Sequence, residues 1–177
     1  MSTTHPVHDT RQLAGTRWRL DREGSSAEFR APYLWGLGSV KGRFQRLDGW
    51  LEVDQDDRWR MELTIDAAGV DTGNARRDKH LRSPDFFDAE QHPEVRFRSR
   101  RVIDHRDGRL HVEGELEAAG GRARLQVELT VRRAGRRLEL DAAASVDQRQ
   151  LGMTFSPLGV IRAPTALGVH AHLEPSG

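Results

Sequence analysis

The chain has no cysteine among its 177 residues. Disulfide bridges, a thiolate metal site and a cysteine nucleophile are therefore excluded, and the composition suits a reducing cytoplasm. An excess of charge of one sign is also missing, because 28 Lys and Arg stand against 27 Asp and Glu and leave a formal net charge of +1. A chain with this balance has no bulk attraction to nucleic acid or to an anionic membrane.

Long apolar runs are missing as well. No stretch approaches the roughly 18 consecutive apolar residues that a membrane-spanning helix needs, so no integral membrane insertion is expected. Residues 1–9 are polar and lack the basic start and apolar run of a secretory signal peptide. We therefore expect a cytoplasmic protein with a flexible N-terminal tail over residues 1–15 and one domain over residues 16–175.

Alternation of apolar and polar residues is the dominant pattern that is present. It is clearest at residues 59–66 and 122–131, and weaker alternation marks further segments along the chain. About eight or nine strands result, and the short gaps between them favour antiparallel pairing. The inward faces contain few aromatic residues and many small ones, so a barrel of these strands either fills its interior or leaves room for one small ligand.

The longest gap between strands, from Asp66 to Val95, predicts the helical part of the fold. Residues 74–83 favour a helix, and Ser83 followed by Pro84 has the pattern of an N-cap with proline at the first helical position. We expect one short helix and a helical turn around residues 72–92. Everything else is sheet, so the protein is all-β, and a sandwich and a barrel are the two candidate architectures.

Several short blocks follow one another in and around this connection. They are Thr64-Ile65-Asp66, Val70-Asp71-Thr72, Arg77-Asp78 with His80-Leu81, Asp85-Phe86-Phe87-Asp88, and Pro93, Phe97 and Ser99. In order and spacing these blocks resemble the signature of the YceI-like family of lipid-binding proteins. Flanking residues, among them Phe29, Gly42 and Gly114, extend the resemblance over most of residues 18–174.

This resemblance implies an antiparallel, eight-stranded, lipocalin-like β-barrel that holds a long isoprenoid or another amphiphile in its lumen. It brings no catalytic residues and no cofactor, and it implies that the protein can form a homodimer. The chain departs from the family at EAAGGRAR, where a Gly-x-Thr-Lys type turn is usual, and at Gln148 and Leu151-Gly152, where an arginine often precedes a Phe-Gly block. The head-group contacts are therefore left open.

Apolar side chains on the inward faces are the candidate ligand-binding residues. They are Phe29, Trp35, Val40, Phe44, Leu63, Ile65, Phe86, Phe87 and Phe97. Phe86 and Phe87 either plug one end of the barrel as core or line the mouth through which a chain enters. Trp35 has two similar interpretations, a cap over the lumen or a structural plug.

Arg77, Asp78 and His80 are the candidate head-group residues. They place a cation, an anion and an imidazole within one helical turn, although their spacing prevents all three from facing the same way. The alternative is a structural role, in which Arg77 or Asp78 forms hydrogen bonds with backbone groups of the loop or a local ion pair.

A histidine pair near the C-terminus has the spacing of metal ligands. His170 and His172 lie two residues apart on one strand and could chelate a metal with a third ligand such as His111. Both belong to the polar face of the strand, while Val169 and Ala171 belong to its apolar face. We therefore expect them on the solvated outer face and expect no metal site.

Binding rather than catalysis is the expected function. We expect a carrier or sequestering protein whose partner is a hydrophobic small molecule, an isoprenoid or a fatty chain, held in the lumen. The alternative is a filled barrel that acts through its outer surface as a dimerising or stress-associated module. No nucleophile–base set, metal pattern or cofactor fingerprint rises above background, so neither an enzyme nor a nucleic-acid partner is expected.

Overall fold

Antiparallel β-strands account for most of the chain. The structure, a computed structural model, describes residues 5–6, 10–33, 38–106, 109–153 and 164–176. Its strands are β1 (His5–Pro6), β2 (Thr16–Tyr33), β3 (Gly38–Phe44), β4 (Leu47–Val53), β5 (Trp59–Asp66), β6 (Val70–Asp71), β7 (Glu94–Arg106), β8 (Arg109–Ala118), β9 (Gly121–Ala134), β10 (Arg137–Val146) and β11 (Thr165–Pro175). The helical elements of the described residues are the α-helix α1 (Ala75–Leu81) and 3₁₀ helices at Thr10–Leu13, Ala67–Gly69 and Gln148–Leu151.

Eight of these strands close into a barrel. Their order is β2, β4, β5, β7, β8, β9, β10 and β11, and each neighbouring pair is antiparallel. The barrel closes where β11 returns to β2, from Ala166 opposite Arg30 to Pro175 opposite Trp18. Closure pairs every strand on both sides and so removes the exposed sheet edge. The eight-stranded antiparallel barrel predicted from the sequence is thereby confirmed.

The strand β2 is long because two different strands pair with the same edge of it. Near its start Arg19 lies opposite Trp50 of β4, and nearer its end Phe29 lies opposite Gly42 of β3. The strands β3 and β4 follow each other so closely that they act as one bent strand. The short strands β1 and β6 add to the predicted set by pairing with β9 and β3.

One end of the barrel, the closed end, is packed with large side chains. Those at most 6% exposed are Trp18, Val53, Trp59, Leu110, Val112, Val131 and Leu138. Leu13 is 1% exposed and belongs to the same core, although it lies in the segment predicted to be a flexible tail. Burial of a leucine contributes about 1.5–3 kcal/mol, which favours packing of the residues just before β2 against the barrel. The flexibility of residues 1–15 stays a prediction.

The connection between β5 and β7 contains the helix that the sequence predicts. Asn74 caps α1, and its side-chain oxygen accepts a hydrogen bond from the Arg77 N–H at 3.0 Å. After the helix, the Ser83 carbonyl accepts from the backbone N–H groups of Phe86 and Asp88, each at 3.0 Å. The helical turn predicted around Ser83 thus takes the form of hydrogen-bonded turns. None of the helices in the described ranges is long and apolar enough to cross a membrane.

Candidate ligand-binding site

An apolar cavity of about 430 Å³ lies inside the barrel, and we call it the lumen. Its size falls within the range of about 300–1,000 Å³ that is usual for small-molecule pockets. Inward side chains of every barrel strand line it, and the contribution of β10 and β11 consists mainly of Leu140, Ala142, Ala144, Val146, Leu167, Val169 and Ala171. The interior of this barrel is therefore a cavity and not a filled core.

Side-chain size along β10 explains where the lumen begins. Leu138 is fully buried and is not part of the lining, whereas Leu140, two residues further along the same face, does line the lumen. The next two inward positions are Ala142 and Ala144, whose methyl groups stop well short of the barrel axis. Large inward residues at one end and alanines beyond them produce a cavity with a closed bottom.

Two tryptophans help to form that bottom, and both have their indole N–H satisfied. Trp18 Nε1 donates to Thr16 Oγ1 at 2.8 Å, and Trp59 Nε1 donates to Asp57 Oδ1 at 3.2 Å. A buried indole without a partner would cost free energy, so these bonds allow the rings to serve as packing. The two rings lie beneath a lining that is predominantly apolar.

Three phenylalanines from separate elements meet at the other end of the lumen. The ring centroids of Phe29 and Phe44 are 5.8 Å apart, and Phe87 lies 6.4 Å from Phe29 and 5.6 Å from Phe44. Phe29 and Phe44 come from β2 and β3, while Phe87 comes from the turns after α1. These tilted and edge-on contacts have the geometry that stabilises aromatic pairs. All three rings line the lumen.

The helix α1 lies at the end where the lumen reaches solvent. Arg77 and His80 are exposed residues of α1, and both are part of the lining. His80 Nε2 lies 2.8 Å from Asp85 Oδ2, and its ring stands edge-on to Phe86 at a centroid distance of 5.1 Å. Charged and hydrogen-bonding groups therefore surround this opening, which we call the open end.

Arg77 and Asp78 point in different directions, as their spacing requires. Asp78 is 7% exposed, and its Oδ1 accepts from Thr72 N at 2.9 Å and from Thr72 Oγ1 at 2.5 Å. Arg77 donates to Thr72 Oγ1 at 2.8 Å and to the Thr72 carbonyl at 3.0 Å. Asp78 is absent from the lining, so its contacts have the local, structural form, whereas Arg77 holds the same loop and also borders the lumen.

The structure brings nearly all the candidate ligand-binding residues together. Eight of the nine line the lumen: Phe29, Val40, Phe44, Leu63, Ile65, Phe86, Phe87 and Phe97. The ninth, Trp35, lies outside the described residues. Their role as ligand contacts stays a prediction. Sequence reasoning did not select other lining residues, among them Met61, Val127 and Leu129. The inward phase of the alternating strands was the signal that could have identified them.

The histidine pair lies on the outer face of the barrel. His170 Nδ1 is 2.8 Å from Asp141 Oδ1, and His170 Nε2 is 3.3 Å from His172 Nε2. The imidazole of His170 and the guanidinium of Arg132 hold the pKa of the Asp141 carboxyl below its usual range. His111 is on β8, three strands away. Within the described ranges, no three His, Cys, Asp or Glu side chains form a group that could hold a metal ion.

A closed antiparallel barrel around an apolar cavity is the architecture of lipocalin-like binding proteins. The sequence model of the YceI-like domain matches residues 18–173, and the chain belongs to that family. A UPF0312 protein of Vibrio parahaemolyticus is 34% identical over 105 residues, which are 57% of this chain and 55% of that protein. The match thus spans about half the length of that relative. A UPF0312 protein of Vibrio campbellii is 28% identical over 160 residues, 88% of this chain and 84% of its own.

Solved structures share the fold at low sequence identity. BcnA of Burkholderia cenocepacia superposes with a TM-score of 0.77 at 18% identity, covering 86% of this chain and 98% of its own. A polyisoprenoid binding domain from Saccharophagus degradans, implicated in plant cell wall breakdown, has a TM-score of 0.73 at 16% identity, covering 90% and 98%. A YceI protein of Campylobacter jejuni has a TM-score of 0.69 at 18% identity, covering 80% and 87%. These likenesses concern the fold.

Proposed function

We propose that the protein binds a long-chain apolar or amphiphilic molecule of the isoprenoid type in the lumen and acts as its carrier or sequestering protein. The observation that carries the proposal is the apolar cavity of about 430 Å³ that begins above Leu138. The description of the Saccharophagus degradans neighbour as a polyisoprenoid binding domain supports the choice of ligand class. The cavity disfavours the alternative of a filled barrel that acts only through its surface.

Burial of the chain supplies the affinity in this proposal. Each methylene removed from water contributes about 0.8 kcal/mol, so affinity should rise about fourfold per methylene until the lumen is full. Leu140 and Val146 bound the lining along β10, and their six-residue separation spans about 20 Å of strand at about 3.4 Å per residue. Strands in such barrels are tilted by about 35–45°, so the depth is about 15 Å. Longer chains should add little affinity.

The polar end of the ligand would lie at the open end, beside Arg77 and His80. Arg77 is already held by Thr72, so its guanidinium is oriented before a ligand arrives. His80 shares the opening with Asp85, whose Oδ2 lies 2.8 Å from His80 Nε2 and so orients the imidazole. We propose that these two side chains, and not Asp78, contact a head group.

A pair of matched substitutions on β10 tests where the ligand lies. Ala142→Phe places a ring in the lumen, and Ser145→Phe places the same ring on the exposed outer side of the strand. Ala142→Phe should abolish binding of a fluorescent fatty or prenyl chain, and Ser145→Phe should leave it intact. Equal loss in both variants, or affinity that does not change with chain length, would refute a lumen site. Native mass spectrometry of the purified protein reports any co-purifying lipid.

We further propose a cytoplasmic protein that acts as a binding protein and not as an enzyme, and that can form a homodimer. The lack of cysteine supports the location, and membership of the YceI-like family supports the binding role. Cell fractionation tests the first proposal. Light scattering across a dilution series tests the dimer, which predicts a mass twice that of the chain at high concentration.

A further inference from the structure

Cations without ion-pair partners gather at the open end of the barrel. Arg30 and Lys41 lie opposite each other on β2 and β3, and both are exposed. They line a groove that also includes Phe29, a residue of the lumen wall, and one exposed carboxylate, Glu28. Neither cation has a carboxylate within ion-pair distance in the described part of the chain. The groove therefore places two free positive charges directly beside the lumen.

The helix α1 adds two more free cations. Arg76 and Lys79 are exposed, and the carboxylate of the helix, Asp78, is buried against Thr72. No described carboxylate forms an ion pair with Arg76 or Lys79. The positive face of the helix is thus not neutralised from within. We call Arg30, Lys41, Arg76 and Lys79 the open-end patch.

Most carboxylates near the patch are already engaged by other groups. Asp71 pairs with Arg43 at 3.3 Å and Asp147 with Arg149 at 2.6 Å, and Asp85 is hydrogen-bonded to His80 at 2.8 Å. Among the described residues of this end, the exposed carboxylates without an arginine or lysine partner are those of Glu28, Asp85 and Glu90. The four cations of the open-end patch therefore outnumber the unpaired carboxylates described there.

Unpaired charges of both signs are mixed at the closed end. Its β4–β5 turn holds three aspartates within residues 54–57 beside Arg58, and Arg133 and Arg136 lie at or next to its β9–β10 turn. Arg58, Arg133 and Arg136 are exposed and, within the described ranges, form no ion pair, and the nearby aspartates offset Arg58. Among the described residues, the unpaired charge is thus more evenly mixed at the closed end than at the open end.

We propose that the open-end patch docks the barrel onto a bilayer containing anionic lipid, so that an apolar chain passes between membrane and lumen with little exposure to water. Lys and Arg near an anionic surface contribute about fivefold each to binding, and their effect fades within a Debye length of about 8 Å. Cations that surround an apolar opening suit an anionic bilayer better than a nucleic acid, because an apolar lumen offers no hydrogen-bonding partners to a base or a phosphate. Transfer of a chain between membrane and lumen rests on the proposed function, whereas binding of the protein to a membrane can be measured separately.

Vesicle binding of paired variants tests the proposal. Phosphatidylcholine vesicles, with and without phosphatidylglycerol, are mixed with wild-type protein, with Arg76→Gln/Lys79→Gln and with Arg30→Gln/Lys41→Gln. Wild type should bind only the vesicles with phosphatidylglycerol and lose that binding at high salt. Each double variant should bind about 25-fold more weakly. The control Arg58→Gln/Arg136→Gln removes the same charge from the closed end and should bind like wild type.

Several results would overturn the proposal. Wild type could bind vesicles of phosphatidylcholine alone as tightly as the mixture, or the control and patch variants could lose equal vesicle affinity. Tighter binding to duplex DNA than to anionic vesicles would also contradict it. The patch variants should keep wild-type affinity for a soluble chain probe but transfer it from vesicles more slowly. Vesicle binding together with affinity that does not depend on chain length would refute the lumen ligand and leave docking in place. No binding to anionic vesicles, together with affinity that rises with chain length, would refute docking and leave the lumen ligand in place.

Discussion

Phe29 lies directly opposite Gly42 on the neighbouring strand, and its ring covers that glycine. A Cβ atom on Gly42 would lie 2.3 Å from Cε1 of Phe29. Phe97 covers Gly114 in a similar way from a diagonal position, because a Cβ on Gly114 would lie 2.3 Å from the Phe97 Cζ although Gly114 itself lies opposite Ser99. Both rings line the lumen. Two glycines thus allow two lumen phenylalanines to lie flat against the barrel wall.

Gly114→Ala is expected to destabilise the protein by about 1–3 kcal/mol. The new methyl group would clash with the Phe97 ring and, at 2.6 Å, with the Arg98 carbonyl oxygen, which cannot move independently of the strand. Gly42→Ala should cost less, because only side-chain atoms stand in the way. Gly168→Ala is the control, since its Cβ would have its nearest neighbour at 4.0 Å. Urea denaturation measures all three, and wild-type stability for Gly114→Ala would contradict the clash.

Two leucines on one face of β10 should respond differently to truncation. Leu138→Ala removes a fully buried side chain from the closed end and should cost about 2–5 kcal/mol. Leu140→Ala should lie at or below the low end of that range, because Leu140 already borders the lumen and has fewer packing partners to lose. Denaturation of the ligand-free proteins tests the order. A larger loss for Leu140→Ala would mean that the lumen is packed in solution.

Asp78→Ala is expected to lower the free energy of unfolding by about 1–3 kcal/mol. The substitution leaves the N–H and the hydroxyl of Thr72 without their buried acceptor. Asp78→Asn keeps one acceptor oxygen and should cost less. Thermal or urea denaturation compares the two variants, while the affinity for a chain probe should change little in the folded fraction. Unchanged stability with lost affinity would instead make Asp78 a head-group contact.

Asp141 should contribute stability that disappears in acid. His170 and Arg132 hold the pKa of its carboxyl below the value of about 3.9 expected in the unfolded chain. The contribution is present above about pH 4 and is lost as the pH falls through the lower folded-state pKa. Because the side chain is 41% exposed, the effect should not exceed about 1 kcal/mol.

The measurement compares Asp141→Asn with wild type by urea denaturation at pH 7 and pH 3. The stability difference between them should shrink at the lower pH. Ser145→Ala on the same outer face removes no charge and should give a difference that does not depend on pH. A constant difference for Asp141→Asn would show that the pKa of its carboxyl is the same in the folded and unfolded chains.

Local patterns were sufficient for much of the fold. Alternation at residues 59–66 placed Leu63 and Ile65 on an inward face, and both line the lumen. Helix-forming residues over 74–83 predicted α1, because helix propensity is a property of each residue and its neighbours in the chain. The two faces of a strand and the start of a helix are short-range properties. The candidate apolar residues that the structure describes all line the lumen, and their role as ligand contacts stays a prediction.

Contacts that depend on the path of the chain in three dimensions could not be read in this way. Asp78 carried the same prediction as Arg77, yet its carboxylate binds Thr72 and stays outside the lining, because the path of the chain before α1 brings Thr72 to it. Leu13 was predicted to lie in the N-terminal tail, and its burial in the hydrophobic core could not be read from residues 1–15 alone.

The sequence alone determined which side chains face inward, since a period of two is a property of each strand by itself. Whether those side chains fill the barrel depended on which of them meet across its axis. Leu138, Val131 and Val112, on three neighbouring strands, are fully buried at the closed end, while Ala142 and Ala144 line the open space beyond it. Which inward side chains lie at the same level depends on the strand register and on closure of the whole barrel. The tertiary structure therefore decided that a lumen exists.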